Sequence, residues 1–383
     1  MGKAESTGVG IQVKQRLTHV SGGDKRRKMG DRGSLNAARW NGSGPWSEAW
    51  FLTCVEPRNG IGLWVRYALD VDGNGQAVPS LWGSFMEGNR AFALRNVYPA
   101  AAFRRIEPMG IGIAELTESG CSGDVEAGGR SLRWRLFFEA GADAEDVVPA
   151  PLRPIAALRG SGLALPHPAM RVSGALEVDG RLVDLDGAPG ALGHLWARER
   201  WLTYTWARCN AFAEDSSASI DLTAVRVPGG VQIPLFTFRS GGDVHRFQDP
   251  PWILLSRSSP APPAWHFSAA DARLAIDGVV RGRPASSVLV SYLDSRGGEH
   301  RCSTTELAEM ELRVRVRAFP GAPWRPHATL TSTAACLEFC GAGVEQGVTN
   351  RLLTEPADEE RASGRPRAAA GPASGPTRVA PGG

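Results

Sequence analysis

The feature that most constrains this chain is a long succession of short alternating runs separated by glycine turns. Asn59-Gly60 lies between two aromatic-rich runs, residues 46–55 and 61–69, and Asp72-Gly73 follows the second run. An Asn-Gly pair between alternating runs is a strong hairpin signal, because these residues tolerate the positive φ angles of tight turns. No helical pattern longer than about ten residues is convincing. The sequence therefore predicts an antiparallel, all-β protein.

The predicted strands form two groups on either side of a proline-rich passage at 140–171. The first group comprises 46–55, 61–69, 78–86, 90–98, 101–107, 111–117 and 130–139. The second comprises 203–212, 218–227, 231–239, 243–248, 252–257, 272–280, 286–294, 299–305, 310–319 and 327–340. A helical turn is considered only at 305–310. Two such groups have the profile of two antiparallel barrels or sandwiches.

We place the domain boundary in the proline-rich passage, so that residues 39–168 form an N-terminal β-barrel and residues 169–353 a C-terminal one. Residues 1–38 and 354–383 are polar or rich in Gly, Ala and Pro, and we expect disordered tails there. The first tail carries Lys25-Arg26-Arg27-Lys28 just before Met29. Met29 could therefore be the true start, and the alternative is a basic tether for an anionic surface or nucleic acid.

The charge and composition exclude several classes of protein. The net charge is +3, and residues 1–33 alone carry eight Lys/Arg against three Asp/Glu, so the folded part is near neutral and no nucleic-acid partner is expected. The sequence contains no apolar run of about 18 residues, so no membrane span is predicted. Contact with a membrane surface stays open. Without an apolar leader we expect a cytoplasmic protein, in which all six cysteines are free thiols.

The run 203–212 separates its side chains by size. Tyr204, Trp206, Arg208, Asn210 and Phe212 fall on one face of the predicted strand, and small residues fall on the other. An Arg and an Asn among aromatic rings are typical of a strand that lines a ligand cavity. The structural alternative is that Arg208 and Asn210 only bind loop carbonyls.

His194 is the candidate catalytic residue. If 191–196 is a strand, His194 and Trp196 share a face, and the following turn leads into the aromatic strand. A histidine beside a dry aromatic cavity can act as a general acid toward an alkene or epoxide, while the rings stabilise a developing carbocation. The alternative is a buried histidine that bonds one backbone carbonyl.

Familiar cofactor and metal motifs are missing from the sequence. There is no Gly-rich phosphate loop, no G-x-S-x-G elbow, no HExxH and no second histidine at a ligand spacing from His194. We therefore predict no cofactor and no metal. Two further interpretations stay open: Glu48 and Arg66 form an interior ion pair or an exposed one, and the row Arg313, Arg315, Arg317 is a solvated strand face or a scaffold for a partner.

Three segments resemble a known family. I-G-L-W-V-R-Y-A-L at 61–69 and H-L-W followed by T-W-A-R-C-N-A-F at 194–212 are similar to segments of the tocopherol cyclase and carotenoid 1,2-hydratase (hydroxyneurosporene synthase) group. The run A-C-L-E-F-C-G at 335–341 resembles that group's closing strand. The chain departs from the group's pattern at Tyr204, Ala197 and Arg208, and of the hydratases' His-Asp-His cluster only His194 is present.

The resemblance implies two lipocalin-like barrels in tandem and a hydrophobic small-molecule ligand, isoprenoid- or polyketide-like. Cofactor-free, acid-catalysed cyclisation, hydration or isomerisation is the implied chemistry. On this reading His194 donates the proton, and the ligand is bound by Trp196, Tyr204, Trp206, Arg208, Asn210 and Phe212. The alternative from another class is a non-catalytic carrier of a lipid or similar ligand.

Overall fold

The computed structural model describes residues 32–105, 109–198, 203–227, 230–293 and 298–357. Helical structure is limited to α1 (Arg32–Asn36), α2 (Arg153–Leu158) and four 3-10 turns, at Ala100–Ala102, Ala150–Leu152, Trp252–Leu255 and Pro284–Ser286. All other regular elements are strands, so the all-β prediction is confirmed. Among the described helices none is both long and apolar enough to cross a membrane.

Twelve strands precede the segment at 199–202. They are β1 (Trp46–Glu56), β2 (Ile61–Val71), β3 (Ala77–Glu87), β4 (Arg90–Val97), β5 (Phe103–Arg104), β6 (Met109–Ile111), β7 (Ala114–Leu116), β8 (Gly120–Ala127), β9 (Arg130–Ala140), β10 (Glu145–Asp146), β11 (Gly162–Val178) and β12 (Arg181–Ala197). They pair in the order β5-β6-β7-β8-β9-β11-β12-β1-β2-β3-β4, with β10 on the first part of β11. We call this the first sheet.

Eleven strands follow. They are β13 (Tyr204–Cys209), β14 (Ser219–Arg226), β15 (Gln232–Ser240), β16 (Asp243–Arg246), β17 (Arg257–Ala261), β18 (Ala264–Ala270), β19 (Leu274–Arg281), β20 (Val288–Leu293), β21 (Glu299–Val316), β22 (Arg325–Cys340) and β23 (Asn350–Pro356). The second sheet has the order β16-β15-β14-β13-β22-β21-β19-β18-β17, and β20 pairs with the first part of β21.

Strand β23 joins the two sheets, because it runs parallel to β20 through Asn350 and Arg351 and parallel to β4 through residues 352–356. The predicted tail at 354–383 therefore begins inside a strand. At the other end, residues 32–36 of the predicted tail at 1–38 form α1. Residues 1–31 and 358–383 lie outside the described residues.

The strand pairing divides the chain later than the sequence suggested. The predicted boundary at 168/169 lies inside β11, and both β11 and β12 belong to the first sheet. Pro166 and Pro168 lie where the β11–β12 register shifts, between Ala164 and Met170. A bulge leaves a residue unpaired, so a proline that cannot donate an N–H fits there. These prolines mark irregularities in a long strand, and the change of sheet comes between β12 and β13.

Other local predictions need correction. Strands β8, β17 and β18 were missed, and residues 252–255 form a 3-10 turn in place of a strand. The helical turn considered at 305–310 is wrong, since β21 runs through it with a bulge. Cys302 and Cys340 lie opposite each other in the β21–β22 ladder and form a disulfide, so the expectation of six free thiols is wrong for this pair.

Each sheet wraps around an apolar core of its own. Because side chains alternate along a strand, Trp50, Leu52 and Cys54 of β1 all point into the first core. The face of β13 that carries the small residues Ala207 and Cys209 lies in the second core. The gap between β4 and β8 of the first sheet is bridged by a side chain. Asn96 Nδ2 donates to the Glu126 carbonyl at 2.8 Å, and the Glu126 N–H donates to Asn96 Oδ1 at 3.0 Å, as a strand residue would.

A third apolar cluster lies between the two sheets. It contains buried residues of both, among them Phe51, Trp64 and Trp82 from the first sheet and Tyr292 and Leu307 from the second. The outward faces of β1 to β3 therefore pack on the outward faces of β20 to β22. This contact region is where the polar side chains described next are found.

Candidate functional site

The large face of β13 points at the first sheet. Tyr204, Trp206 and Arg208 are opposite Cys340, Glu338 and Cys336 of β22, and residues that are directly opposite in a ladder share a face. Cys302 and Thr304 of β21 continue the same rows. The predicted shared face is consistent with this arrangement for Tyr204, Trp206 and Arg208, whereas Phe212 lies beyond the end of β13 and packs in the second core. That face lies between the sheets, whereas the lumen of the second sheet receives the small residues.

Aromatic rings line this inter-sheet face from both sides. Phe51 of β1 meets Trp206 edge-on at 5.7 Å between ring centroids, and Trp82 of β3 lies 5.7 Å from Tyr292 of β20. Trp64 stands edge-on to Trp82 at 6.1 Å. Tyr204 and Trp206 are half-buried. The rings contact each other, so Tyr204 and Trp206 take part in sheet-to-sheet packing.

Glu306 is the most unusual polar residue on the inter-sheet face. The β21–β22 register shifts between Thr305 and Ala308, and Glu306 and Leu307 in this bulge are both buried. The Glu306 backbone N–H lies 3.1 Å from Met86 Sδ of the first sheet. Bulges often re-aim side chains next to active sites. Here the bulge places a carboxyl group against the other sheet.

The carboxyl group of Glu306 has no well-formed hydrogen bond, since neither of its oxygens has a partner in the described part of the chain. The pKa of Glu306 is raised to about 8, mainly by burial and secondly by the negative charge of Glu338. Its own backbone and Ser84 lower the pKa by a smaller amount. A carboxyl group with such a pKa keeps its proton at neutral pH. Glu306 is therefore a buried acid.

Glu338 is a second carboxyl on the same face, and its surroundings differ. The Tyr204 hydroxyl donates to its Oε1, and the Tyr292 hydroxyl donates to its Oε2 at 3.1 Å. Two hydroxyl donors stabilise a carboxylate anion. The two carboxyl groups therefore differ in their surroundings, since Glu338 accepts two bonds from tyrosine hydroxyls and Glu306 has no well-formed hydrogen bond.

Arg66 of β2 also faces the second sheet. Its guanidinium group lies 4.6 Å from the ring of Tyr292 and 5.6 Å from that of Trp82. The interior ion pair considered for Glu48 and Arg66 is wrong, because Arg66 is opposite Phe51 while Glu48 is opposite Leu69. These positions differ by an odd number of residues on each strand, so the two side chains point to opposite faces of the first sheet.

Arg208 and Asn210 both bind backbone carbonyls, as the structural alternative expects. Arg208 Nη2 donates to the Pro168 carbonyl at 2.9 Å and forms an ion pair with Asp221. Asn210 Nδ2 donates to the Gly190 carbonyl at 2.8 Å. Nε and Nη1 of the buried Arg208 have no partner in the described residues. Both side chains thus attach β13 to β11 and β12.

A buried ionic network extends from Arg208. Asp221 also pairs with Arg239, at 2.5 Å from Nη1, and Arg239 pairs in turn with Glu145 of β10. Arg246 Nε and Thr237 Oγ1 each donate to Glu145 Oε1 at 3.1 Å. Glu145 belongs to the first sheet and its partners belong to the second. The network is therefore an electrostatic link between the two sheets.

His194 lies outside the inter-sheet face, at one end of the first core. It is fully buried, stacks on Trp50 at 4.5 Å and lies 4.8 Å from Trp196. Nδ1 donates to the Leu35 carbonyl of α1 at 2.7 Å, and Nε2 is 2.9 Å from Glu48 Oε1. Each ring nitrogen therefore lies within hydrogen-bond distance of an oxygen acceptor. Trp50 Nε1 donates to the Asn36 carbonyl at 2.8 Å, so His194 and Trp50 together hold α1 over the end of the core.

Glu48 is the counter-ion of His194, and it accepts three further bonds. The backbone N–H groups of Arg39 and Trp40 donate to its oxygens at 2.6 and 2.9 Å, and Trp46 Nε1 donates at 2.9 Å. Burial raises the pKa of Glu48, but the hydrogen bonds and the charge of His194 outweigh it, so that the pKa lies below the ordinary value of 4.5.

A lowered pKa makes Glu48 a source of acid-sensitive stability. Its contribution to the free energy of unfolding is complete above the pKa that the carboxyl group has in the unfolded chain. The contribution is lost as the pH falls through the lower pKa of the folded protein. We expect Glu48→Gln to unfold at lower urea concentration than the wild type at about pH 6, with the gap closing toward about pH 3. Urea titrations across this range measure it. A gap that is independent of pH would show that the loss is one of packing.

Asn210 and Phe212 line a cavity of about 510 Å³ at the end of the inter-sheet face. The other walls come from both sheets and include Pro57, Pro189, Met310 and Ser332. Of the six predicted ligand-binding residues, these two reach the cavity; Trp196, Tyr204, Trp206 and Arg208 are not among the residues that line it. A cavity of this size is within the range that holds a small molecule.

Sequence reasoning missed Glu306, Glu338 and Tyr292. Glu306 lies in the polar run T-T-E-L-A-E-M-E, which reads as an exposed or helical turn, and only the bulge turns it inward. Glu338 had a signal, because it stands alone in the apolar run A-A-C-L-E-F-C. Within the described ranges no group of three or more His, Cys, Asp or Glu could hold a metal ion.

Comparison with known proteins identifies structures with a similar fold but no similar sequence. No protein-family model matches the chain, and no curated protein is similar to it in sequence. The structure is similar to kievitone hydratase from Nectria haematococca, with a TM-score of 0.50 at 11% identity over 82% of this chain and 93% of that one. Further matches are a protein described as a putative AttH from Nitrosomonas europaea (TM-score 0.46, 12% identity, 85% and 99% covered) and CghA with Sch210972 (0.47, 11%, 77% and 88%).

The likeness to kievitone hydratase shows that the two proteins share a fold. The expected lipocalin-like fold is thereby supported, whereas membership of the tocopherol cyclase family is not shown.

Proposed function

We propose that the protein binds a hydrophobic small molecule between its two sheets and converts it by proton transfer without a cofactor, as a hydratase, cyclase or isomerase. The observation that carries the proposal is the buried carboxyl group of Glu306, neither oxygen of which has a well-formed hydrogen bond to another described residue, in a bulge that lies against Met86 of the first sheet. The name of kievitone hydratase, the similar structure, agrees with hydration chemistry.

The proposed reaction balances without any added reagent. The protonated Glu306 carboxyl donates its proton to a carbon–carbon double bond, which leaves a carbocation and the Glu306 carboxylate. Facing rings such as Trp64, Trp82 and Tyr292 lower the energy of the cation by cation–π attraction. Addition of water and return of its proton to Glu306 gives hydration; loss of a neighbouring proton to Glu306 gives isomerisation; attack by an internal double bond, followed by proton loss, gives cyclisation.

The cavity beside Asn210 and Phe212 is the proposed entry for the ligand. Met310 lines it and is four residues along β21 from Glu306, a separation of about 13 Å in a strand. Met310 packs in the second core and Glu306 lies against the first sheet, so a ligand in the cavity would have to extend past the β21 bulge, over about this distance, to reach the acid. The separation favours an elongated molecule such as an isoprenoid or polyketide chain. Asn210 would contact its outer end, and Tyr204, Trp206 and Arg208 would surround the inner part.

His194 is the competing proton donor that the family resemblance suggested. Its two nitrogens already bind Leu35 and Glu48, and α1 covers it. It would need α1 to move before it could reach a ligand. We therefore favour Glu306, and His194→Ala, considered in the Discussion, distinguishes the two.

The decisive variant is Glu306→Gln, which keeps the shape of the side chain and removes the acidic proton. We expect turnover to fall by about 10²- to 10⁴-fold, the usual contribution of general acid catalysis. Because the raised pKa of Glu306 makes the wild type less stable as the pH rises above 4.5 toward about 8, the variant should unfold at equal or higher urea concentration at neutral pH. The control is Glu299→Gln, an exposed glutamate on the same strand that does not line the cavity.

A substrate can be sought in the purified protein itself. Ligand extracted after incubation of wild-type protein in D₂O should carry deuterium by mass spectrometry, and ligand from Glu306→Gln should not. Ligand that returns from the wild type without deuterium would support the alternative of a non-catalytic carrier. Full turnover by Glu306→Gln would refute Glu306 as the acid.

A further inference from the structure

Exposed apolar residues concentrate at one end of the second sheet. They are Val244, Leu254, Leu255 and Phe319, which are 43%, 84%, 52% and 64% exposed, and we call them the apolar loop end. Leu254 and Leu255 belong to the 3-10 turn Trp252–Leu255, Val244 to the β15–β16 hairpin, and Phe319 to the loop after β21. Large apolar side chains at loop tips cost free energy in water unless a partner covers them.

Contacts with one short loop bring these tips together. The loop at 271–273 binds Arg317, whose Nε donates to the Ala272 carbonyl at 2.8 Å, so the loop that carries Phe319 lies beside it. Asp271 pairs with His245 at 2.6 Å, which places Val244 there as well. The turn Trp252–Leu255 precedes β17, whose first residue is opposite Ser268 near the end of β18. Three separate loops therefore present apolar tips at the same end.

Cations surround the apolar loop end. Arg257, Arg273 and Arg325 are exposed there, and none of them forms an ion pair with another described residue. Arg317 lies over the ring of Trp324 at 4.2 Å, and Trp252 is half-buried next to the exposed leucines. Apolar tips, tryptophans and unpaired arginines are the set of side chains that proteins place at the boundary between lipid headgroups and acyl chains.

We propose that the apolar loop end docks on the surface of an anionic lipid bilayer. Leu254, Leu255 and Phe319 enter the headgroup boundary, while Arg257, Arg273 and Arg325 pair with lipid phosphates. The charge complementarity favours an anionic bilayer over an apolar protein partner, since the exposed arginines Arg257, Arg273 and Arg325 outnumber the exposed carboxylate of Asp243 beside the tips. This docking does not depend on the proposed acid catalysis.

The test is co-sedimentation of the full chain with vesicles of phosphatidylcholine alone or with phosphatidylglycerol added. We expect binding to the anionic vesicles and weaker binding to the neutral ones, falling as salt rises. The double variant Leu254→Ser, Leu255→Ser should bind about tenfold more weakly or worse. The matched control is Leu158→Ser, Leu182→Ser, which removes two equally exposed leucines elsewhere, 82% and 70% exposed, and should bind like the wild type.

The charged part has its own pair of variants. Arg273→Gln with Arg325→Gln should reduce the preference for anionic vesicles, whereas Arg90→Gln with Arg226→Gln, at exposed positions elsewhere, should not. Wild type that fails to sediment with anionic vesicles, or a Leu254, Leu255 variant that binds as well as the wild type, overturns the proposal. So does analytical ultracentrifugation in which the wild type self-associates through these leucines and does not bind vesicles.

Discussion

His194→Ala is expected to lower the free energy of unfolding by about 3–5 kcal/mol, the usual cost of removing one partner of a buried ion pair. The substitution leaves the buried Glu48 carboxylate without its counter-ion and the Leu35 carbonyl without its donor. It also removes the ring that stacks between Trp50 and Trp196. Urea unfolding followed by tryptophan fluorescence measures the loss.

Two controls make the result specific. His266→Ala removes an exposed histidine and should leave the unfolding midpoint almost unchanged. Adding Glu48→Gln to His194→Ala removes the stranded charge and should restore part of the stability. The family resemblance leads to a different outcome, in which His194→Ala abolishes turnover while unfolding is nearly unaffected. That outcome would identify His194 as the proton donor and count against Glu306.

Arg239→Met should be equally damaging, with an expected loss of about 3–5 kcal/mol. Arg239 is the cation between Asp221 and Glu145, and all three are buried. Methionine keeps much of the volume but leaves two carboxylates to repel each other in the interior. Arg208 and Arg246 still neutralise part of that charge, so the loss should fall short of complete unfolding.

The location of Arg239 makes a second readout available. Because Glu145 belongs to the first sheet and Arg239 to the second, the variant should also make the sheet-to-sheet contact more accessible to proteases and to hydrogen exchange. Arg226→Met, an exposed arginine on the neighbouring strand β14, is the control. An unfolding midpoint equal to that of the wild type would mean that the network contributes no net stability. Some buried ion pairs are known to behave in this way, because the cost of desolvating the charges offsets their attraction.

Local pattern was sufficient to predict most of the strands. The hairpin of β1 and β2 turns at Gly60, whose φ of 60° is the conformation that an Asn-Gly turn requires. Alternation also predicted that Tyr204, Trp206 and Arg208 share a face. Such features depend on residues that are near each other in the sequence, so periodicity and turn chemistry report them directly.

Features that depend on bulges and on long-range pairing could not be predicted this way. Pro166 and Pro168 suggested a linker because a proline interrupts a regular ladder, yet two register shifts accommodate them inside β11. The bulge at Glu306 inverts the expected direction of one side chain and so creates the buried acid. The Cys302–Cys340 disulfide requires knowledge that β21 and β22 are partners, 38 residues apart in the chain.

The position of β23 has a consequence for how the protein reaches its native state. Leu352 of β23 is opposite Ala93 of β4, and Asn350 is opposite Val288 of β20. During synthesis, β23 can therefore pair with β4 and β20 only after the chain has emerged beyond residue 356. Until then the edge of β4 is open to other strands. Synthesis that pauses before this point would leave nascent chains exposed to edge-to-edge aggregation, and chaperones that cover open strand edges would act during that interval.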